Sequence, residues 1–288
     1  MGDYQRFLTP NSKPFNPLEL AEGTEKIVTR MGPEGLERKY VGIYSAPVYG
    51  GIATGYAAGC CLRCIYCWSN WSRDFPERTG KFYSPKEVAQ ELCKAAEEGI
   101  TSLGWERFRH LKVNKLRLSG CEPTIGKGHL LPLLGYLKRS KYPLFILETN
   151  GILIGADRNY AKDLVEFAEK LYIRVSFKAA TPEGFTQRTG AVGEYYELPF
   201  KAFKYLLDEG IYARAAAMTD PKIMPEEERK ALIHKLGEID RRISDNSGEL
   251  EEEQIDAYDT TIHRLRAAAD QDYAMKLERR IAAELTLT

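Results

Sequence analysis

The sequence has no surplus of charge of either sign: 41 Lys and Arg stand against 41 Asp and Glu over 288 residues. That balance argues against broad binding to nucleic acid or another polyanion, which depends on a positive surplus. No apolar run approaches the ~20 residues that span a bilayer, so no membrane-embedded role is expected. The opening MGDYQRFLTPNSKPF lacks the basic start and apolar stretch of an export signal, which points to the cytoplasm. Cysteine is scarce, six in all. Without export these read as metal-binding or catalytic residues rather than a disulfide framework. There is neither a solenoid-length repeat nor a low-complexity tract. The length suits one large α/β domain, or a core domain with a small appendage.

What is present is concentrated. Four of the six cysteines fall in the eight residues from Cys60 to Cys67. Cys60, Cys64 and Cys67 have the spacing C-x3-C-x2-C, and Cys61 with Cys64 offers a competing C-x2-C pair. Three thiolates this close can bind one face of an iron–sulfur cluster. Full cysteinyl ligation takes four, so a trio leaves one iron open to a substrate or cofactor. That is a catalytic arrangement rather than an electron wire.

Strand-like and helical stretches alternate through the middle of the chain. Segments 113–120, 143–151, 172–178 and 211–218 read as strands; 128–140, 159–171, 197–210 and 225–239 read as helices. The alternation predicts right-handed βαβ units and a parallel sheet, with functional loops at the carboxyl ends of its strands. A further helix is predicted from Ser84 as N-cap, with Pro85 at its first position and Glu87 closing a capping box. Cys93 falls in that helix as a small buried residue. Residues 1–39 read as a surface lead-in with a short helix near 18–31, and strand-like 39–51 and 53–59 lead into the cysteine loop. Beyond Arg241 no strand is expected. Residues 243–254 read as a loop entering an acidic helix start, and the acidic run 249–253 as a solvated face. One or two amphipathic helices follow. The division is a lead-in at 1–39, a core at 40–240 and a helical extension at 241–288.

The loop Gly59-Cys60-Cys61-Leu62-Arg63-Cys64-Ile65-Tyr66-Cys67, with an aromatic residue before its third cysteine, resembles the cluster loop of the radical S-adenosylmethionine (SAM) superfamily. SGCEP, Ser119 to Pro123, stands at the end of the next predicted strand, where that family carries GGEP. The resemblance spans about residues 40–220. It implies an α/β fold: a partial parallel (β/α)6 barrel with a helical C-terminal extension. It further implies one [4Fe–4S] cluster on Cys60, Cys64 and Cys67, with Cys61 a bystander. SAM would bind the open iron through its amino and carboxyl groups. Electron transfer would then cleave SAM to a 5′-deoxyadenosyl radical that abstracts hydrogen, an oxidoreductase-type chemistry supplied by the cofactor. The electron would come from a low-potential donor of flavodoxin or ferredoxin type.

The same resemblance assigns SAM contacts. Gly120, Cys121 and Glu122 would meet the methionine part, with Cys121 departing from the family's glycine. Glu148 and Asn150 of ETNG would reach the ribose or the methionine part. The segment SFKAATPEGFTQRTG resembles activases of glycyl radical enzymes: Lys178 matches their lysine and would face the SAM carboxylate. Ser176 replaces their aspartate, a lost charge. Arg214 on the following strand and Trp68 beside the adenine complete the set. No side chain is assigned acid or base catalysis. Only Cys93 and Cys121 lie outside the loop, too few for a second cluster.

Trp71, Phe75 and Phe82 are expected to pack. Arg107, Arg109, Lys112, Lys115 and Arg117 read as a solvated patch rather than an RNA site. The substrate stays open between a protein or peptide, as in activases, and a small metabolite or nucleoside. A non-catalytic iron–sulfur or zinc protein is the remaining alternative.

Overall fold

The computed structural model describes residues 4–244 and 250–286. Glu249 of the acidic run, and part of the predicted loop 243–254, lie outside the described residues. Nine strands among them form one sheet: β1 (Thr29–Gly32), β2 (Gly35–Ala46), β3 (Ile52–Ala57), β4 (Lys81–Tyr83), β5 (Lys115–Gly120), β6 (Leu144–Thr149), β7 (Leu171–Phe177), β8 (Tyr212–Met218) and β9 (Leu250–Glu253). Their order is β1-β2-β3-β5-β6-β7-β8-β9, with β4 also on β2. From β3 to β9 every neighbouring pair is parallel. The fold is therefore α/β with six parallel strands in an open partial barrel. An antiparallel margin of β1, β2 and β4 adjoins it.

The alternation of each strand sorts its side chains. Leu116 and Leu118, Phe145 and Leu147, and Ile173 and Val175 are buried and belong to the apolar core that the helices cover. Their neighbours Arg117, Ser119, Glu148, Arg174 and Ser176 take the other face, the concave side of the barrel. The helix Pro85–Glu98 begins as its sequence predicts, with a reciprocal Ser84–Glu87 capping box and Pro at its first turn. Cys93 on it is only partly buried, and its carbonyl accepts from Tyr142.

Two expectations change. The C-terminal part is not purely helical: β9 pairs with β8 through Ala215↔Leu250 to Met218↔Glu253 and supplies the sixth parallel strand. The described part of the acidic run, Glu251 to Glu253, is therefore not a solvated face. Its alternate residues Glu251 and Glu253 bind Arg174, while Glu252 binds Arg229. Nor is the N-terminal part a plain surface lead-in. Phe7 and Val28 are buried, and β2 crosses the boundary expected at residue 39. The helices Asp259–Ala269 and Gln271–Glu284 pack Ala267, Leu277 and Ile281 on Phe7 and Phe75. Trp71 and Phe75 pack there as expected, each edge-on to Phe7 at 6.0 Å.

Buried His129, on the helix Lys127–Lys138, ties that helix to β2. Its Nδ1–H donates to the Leu36 carbonyl at 3.0 Å, and its Nε2 lies 3.1 Å from the Tyr40 hydroxyl. Burial, reinforced by Arg38, pushes its pKa down to about 4. The folded pKa lies below the unfolded value, so the unfolded chain binds more protons between about pH 4 and 6.5. Stability is then full above that window and falls as pH drops through it. The His129 share of the loss from pH 7 to pH 5 is about 2 kcal/mol. Chemical denaturation at both pH values should show that His129→Phe flattens the slope by this amount.

Candidate active site

The cysteine loop leaves the carboxyl end of β3 and is fixed before any ligand is considered. Gly59 has φ +80°, and a Cβ there would meet Thr24 and Val28 side chains at 2.5 and 2.8 Å. The helix Pro17–Val28 thus packs onto the root of the loop, which only glycine permits. Loop amides donate outward: Gly59 to Ser72, Arg63 to Thr189 and Ile65 to Arg188. All six cysteines are free thiols.

Cys60, Cys64 and Cys67 line one cleft at the carboxyl ends of the strands; fully buried Cys61 does not. That separation favours the C-x3-C-x2-C trio over the pair that includes Cys61. The Cys61 thiol donates toward Cys60 and, against burial, holds the Cys60 pKa below the ordinary thiol value. Burial pushes Cys64 up to about 12. A coordinating metal overcomes such a penalty, because it deprotonates the thiol it binds.

SGCEP follows β5 and is hooked onto the same loop. The Cys121 amide donates to Ala57 O at 3.1 Å and the Glu122 amide to Gly59 O at 2.9 Å. Gly120 has φ +98°, and a Cβ would strike the Tyr56 ring at 2.6 Å. Tyr49 is the one non-glycine residue with positive φ among the described residues, so Cys121 keeps a backbone that accepts a side chain. This explains why cysteine can replace the second glycine and not the first. The Cys121 thiol lies 3.4 Å from the Ser72 hydroxyl, and burial raises its pKa to about 12.

Glu122 is buried and joins two loops. Its Oε1 accepts from Thr124 N, Thr124 Oγ1 and Thr149 Oγ1 at 3.1, 2.5 and 2.7 Å; its Oε2 accepts from Asn150 N at 2.7 Å. Asn150 in turn aims its amide at sulfur, 3.3 Å from Cys61 Sγ and 3.7 Å from Cys60 Sγ. Its Oδ1 accepts from Ile152 N at 3.0 Å.

The floor of the cleft is ionic. Glu148 accepts from Tyr49 OH at 2.8 Å, from Arg117 Nη1 at 3.1 Å and from Ser119 Oγ. Burial opposes its charge, yet Arg117 and Arg174 hold its carboxyl below the usual range. Arg174 reaches Glu251 at 2.5 Å and Glu253 at 2.6 Å. Lys178 donates to Ser176 Oγ, with its ammonium 6.0 Å from the Tyr66 ring centre. The cleft encloses about 960 Å³ with its open mouth included, and Glu253, Gln254 and Asp256 form its C-terminal wall.

The structure therefore brings Trp68, Gly120, Cys121, Glu122, Glu148, Asn150, Ser176 and Lys178 to the same cleft as the three cysteines. Trp68 is half exposed and stands edge-on to Tyr56 at 5.9 Å. Arg214 is not brought to the cleft wall; it sits 3.8 Å from Glu251. Arg117 leaves the expected surface patch for the barrel interior, whereas Arg107, Arg109 and Lys112 are exposed ahead of β5, at the end opposite the cysteines. Thr149 of ETNG and Met218 at the end of β8 also line the cleft, as does Arg174, which the sequence reading does not single out. Strand alternation carries the signal for Arg174, which shares a face with Ser176. The side chains of β9 gave no such signal, because three consecutive glutamates hide any alternation.

The donor set fits an iron–sulfur cluster. Three thiols share one wall of the cleft, and thiolates are the ligands that hold such a cluster.

The sequence matches the family model of the Radical SAM superfamily over residues 56–236, more than half of the chain. This chain belongs to the radical SAM superfamily, whose cofactors are a [4Fe–4S] cluster and SAM. No curated protein matches the sequence. Among solved structures it is similar to a radical SAM methyltransferase from Sphaerobacter thermophilus, with 9% identity and TM-score 0.49, covering 83% of this chain and 69% of that one. It is also similar to a variant of spore photoproduct lyase, with 10% identity and TM-score 0.48, covering 73% and 58%. A third is anSMEcpe with bound AdoMet, with 14% identity and TM-score 0.43, covering 72% and 55%. The chain thus spans little more than half the length of two of these three. No helix among the described residues is long and apolar enough to cross a membrane.

Proposed function

We propose that this radical SAM enzyme uses a single [4Fe–4S] cluster on Cys60, Cys64 and Cys67 to abstract hydrogen from a substrate that enters the cleft. The observation that carries the reading is the convergence of those thiols with SGCEP, ETNG and SFK on one cleft at the carboxyl ends of four neighbouring strands. The bound cluster and SAM supply one-electron cleavage of the sulfonium carbon–sulfur bond. The protein's own task is to hold, aim and exclude water.

Each residue has a place in that task. Asn150 directs its amide at the cysteine sulfurs, and hydrogen bonds to cluster sulfur tune its potential. Gly120 and Cys121 would hold the methionine part of SAM, while Glu122 fixes their loop to ETNG. Lys178, anchored on Ser176, would pair with the SAM carboxylate, and Trp68 would pack on the adenine. Glu148 is spent on Arg117, Ser119 and Tyr49 and shapes the floor. Arg214 supports Glu251 behind it. The electron comes from a low-potential donor of flavodoxin or ferredoxin type in the cytoplasm.

The substrate reading that rests on the activase-like segment at Ser176 and Lys178 is a protein or peptide. A small polar metabolite is the second reading. It is favoured by the ionic floor of Glu148, Arg174 and Glu253, which suits a polar molecule seated deep in the barrel. Anaerobic turnover with deuterated candidates separates them, since label reaches 5′-deoxyadenosine only from the molecule the radical attacks. Absence of label from every peptide alongside transfer from a small molecule would overturn the activase reading.

A further inference from the structure

Each of the three cluster cysteines has its carbonyl held by a different buried arginine. Arg63 Nη1 donates to Cys60 O at 2.8 Å, Arg73 Nη1 to Cys64 O at 2.7 Å and Arg264 Nη1 to Cys67 O at 2.6 Å. Their exposures are 0%, 1% and 2%. They come from three parts of the chain. Arg63 lies inside the loop and stacks over Tyr4 at 4.9 Å. Arg73 follows the loop, and Arg264 belongs to the C-terminal helix Asp259–Ala269. Arg264 also donates to Ser69 O at 2.5 Å and Asn70 O at 2.9 Å, so one guanidinium spans the far limb of the loop.

Their charges do not balance. Asp74 is buried and pairs with both Arg73 and Arg264. Among the described residues no second carboxylate pairs with any of the three. Three positive charges against one paired carboxylate leave a surplus of two among buried side chains around the loop. An unpaired buried charge is costly, so an anion is needed to complete the arrangement. A cluster on three thiolates is such an anion, and its negative charge grows by one on reduction.

We propose that Arg63, Arg73 and Arg264 are positioning residues that form an electrostatic seat for the cluster. They hold the ligand carbonyls in place and favour the reduced state. The proposal rests on the cluster reading above. It makes the helix Asp259–Ala269 part of the redox site rather than an appendage.

The test is the midpoint potential of the reconstituted, full-length protein, followed spectroscopically under anaerobic titration, together with iron content and thermal stability. Arg264→Gln and Arg63→Gln each remove one positive charge from opposite sides of the loop. At a fixed potential each should lower the ratio of reduced to oxidised cluster about tenfold, or about 59 mV for one electron. Arg264→Lys keeps the charge and loses the planar fork; it should restore most of the potential, with an iron content between those of Arg264→Gln and wild type. Loss of cluster from both Gln variants, rescued by Lys, supports the proposal as well. Unchanged potentials in both Gln variants, or equal iron loss in the Gln and Lys variants with normal potential in the remainder, would show packing alone and overturn it. Wild-type protein that takes up no cluster would instead remove the reading beneath the proposal, a result distinct from either.

Discussion

Alanine at Cys60, Cys64 or Cys67 should abolish formation of 5′-deoxyadenosine, a loss of about a thousandfold or more, equivalent to roughly 4 kcal/mol of barrier. The expectation follows from count: three ligands are the most that leave one of four irons open, and no fourth thiol shares the wall except Cys121. Cys121 projects from the SGCEP loop toward Ser72, on the side assigned to SAM. Cys61→Ala makes the sharper contrast. Cys61 is fully buried outside the cleft, and its thiol acts on Cys60 only through a hydrogen bond. Its loss should cost roughly tenfold in activity, the scale of an outer partner of a metal ligand, and leave iron and sulfide content intact. Iron analysis with the absorbance of the reconstituted variants checks both. Retention of a full cluster by Cys60→Ala with loss in Cys61→Ala would reverse the ligand assignment.

Glu122→Ala should destabilise the fold by about 3–5 kcal/mol, from stranding several buried donors at roughly 1–3 kcal/mol each. The carboxylate is 1% exposed and accepts four hydrogen bonds from Thr124, Thr149 and Asn150. Removing it strands buried donors that water cannot reach, and each unsatisfied group carries its own penalty. The effect reaches the site as well, because the Asn150 amide that it fixes belongs to the residue aimed at Cys60 and Cys61. Denaturant midpoints measure the first consequence, and the visible spectrum of the reconstituted variant measures the second. Glu122→Gln keeps part of the acceptor set and should fall between the two. A midpoint for Glu122→Ala within about 1 kcal/mol of wild type would contradict the joint described here.

The barrel was legible because its physics is local. Capping at Ser84, the period of each helix and the alternation of strand-like with helical stretches all speak within short windows of sequence. Functional loops then followed from the rule that they lie at carboxyl strand ends. What escaped depends on partners distant in sequence. Leu250–Glu253 becomes a strand only because β8 offers an edge and Arg174 offers charge to Glu251 and Glu253. Arg117 looked like one of five surface cations, yet Thr54 and Glu148 receive it inside the barrel. Arg264 lies in a stretch that reads only as an amphipathic helix, and no short-range pattern pairs it with Asp74, 190 positions earlier. Cys121 shows the converse: its departure from the family glycine was visible, and its backbone geometry explains why it is tolerated.

The most direct test of the central claim is reductive SAM cleavage. Purified wild-type protein, reconstituted with iron and sulfide and reduced without oxygen, should convert SAM to 5′-deoxyadenosine and methionine in equal amounts. Alanine at Cys60, Cys64 or Cys67 should form neither product. A wild-type protein that carries an intact cluster, is fully reduced and still leaves SAM uncleaved would contradict the account.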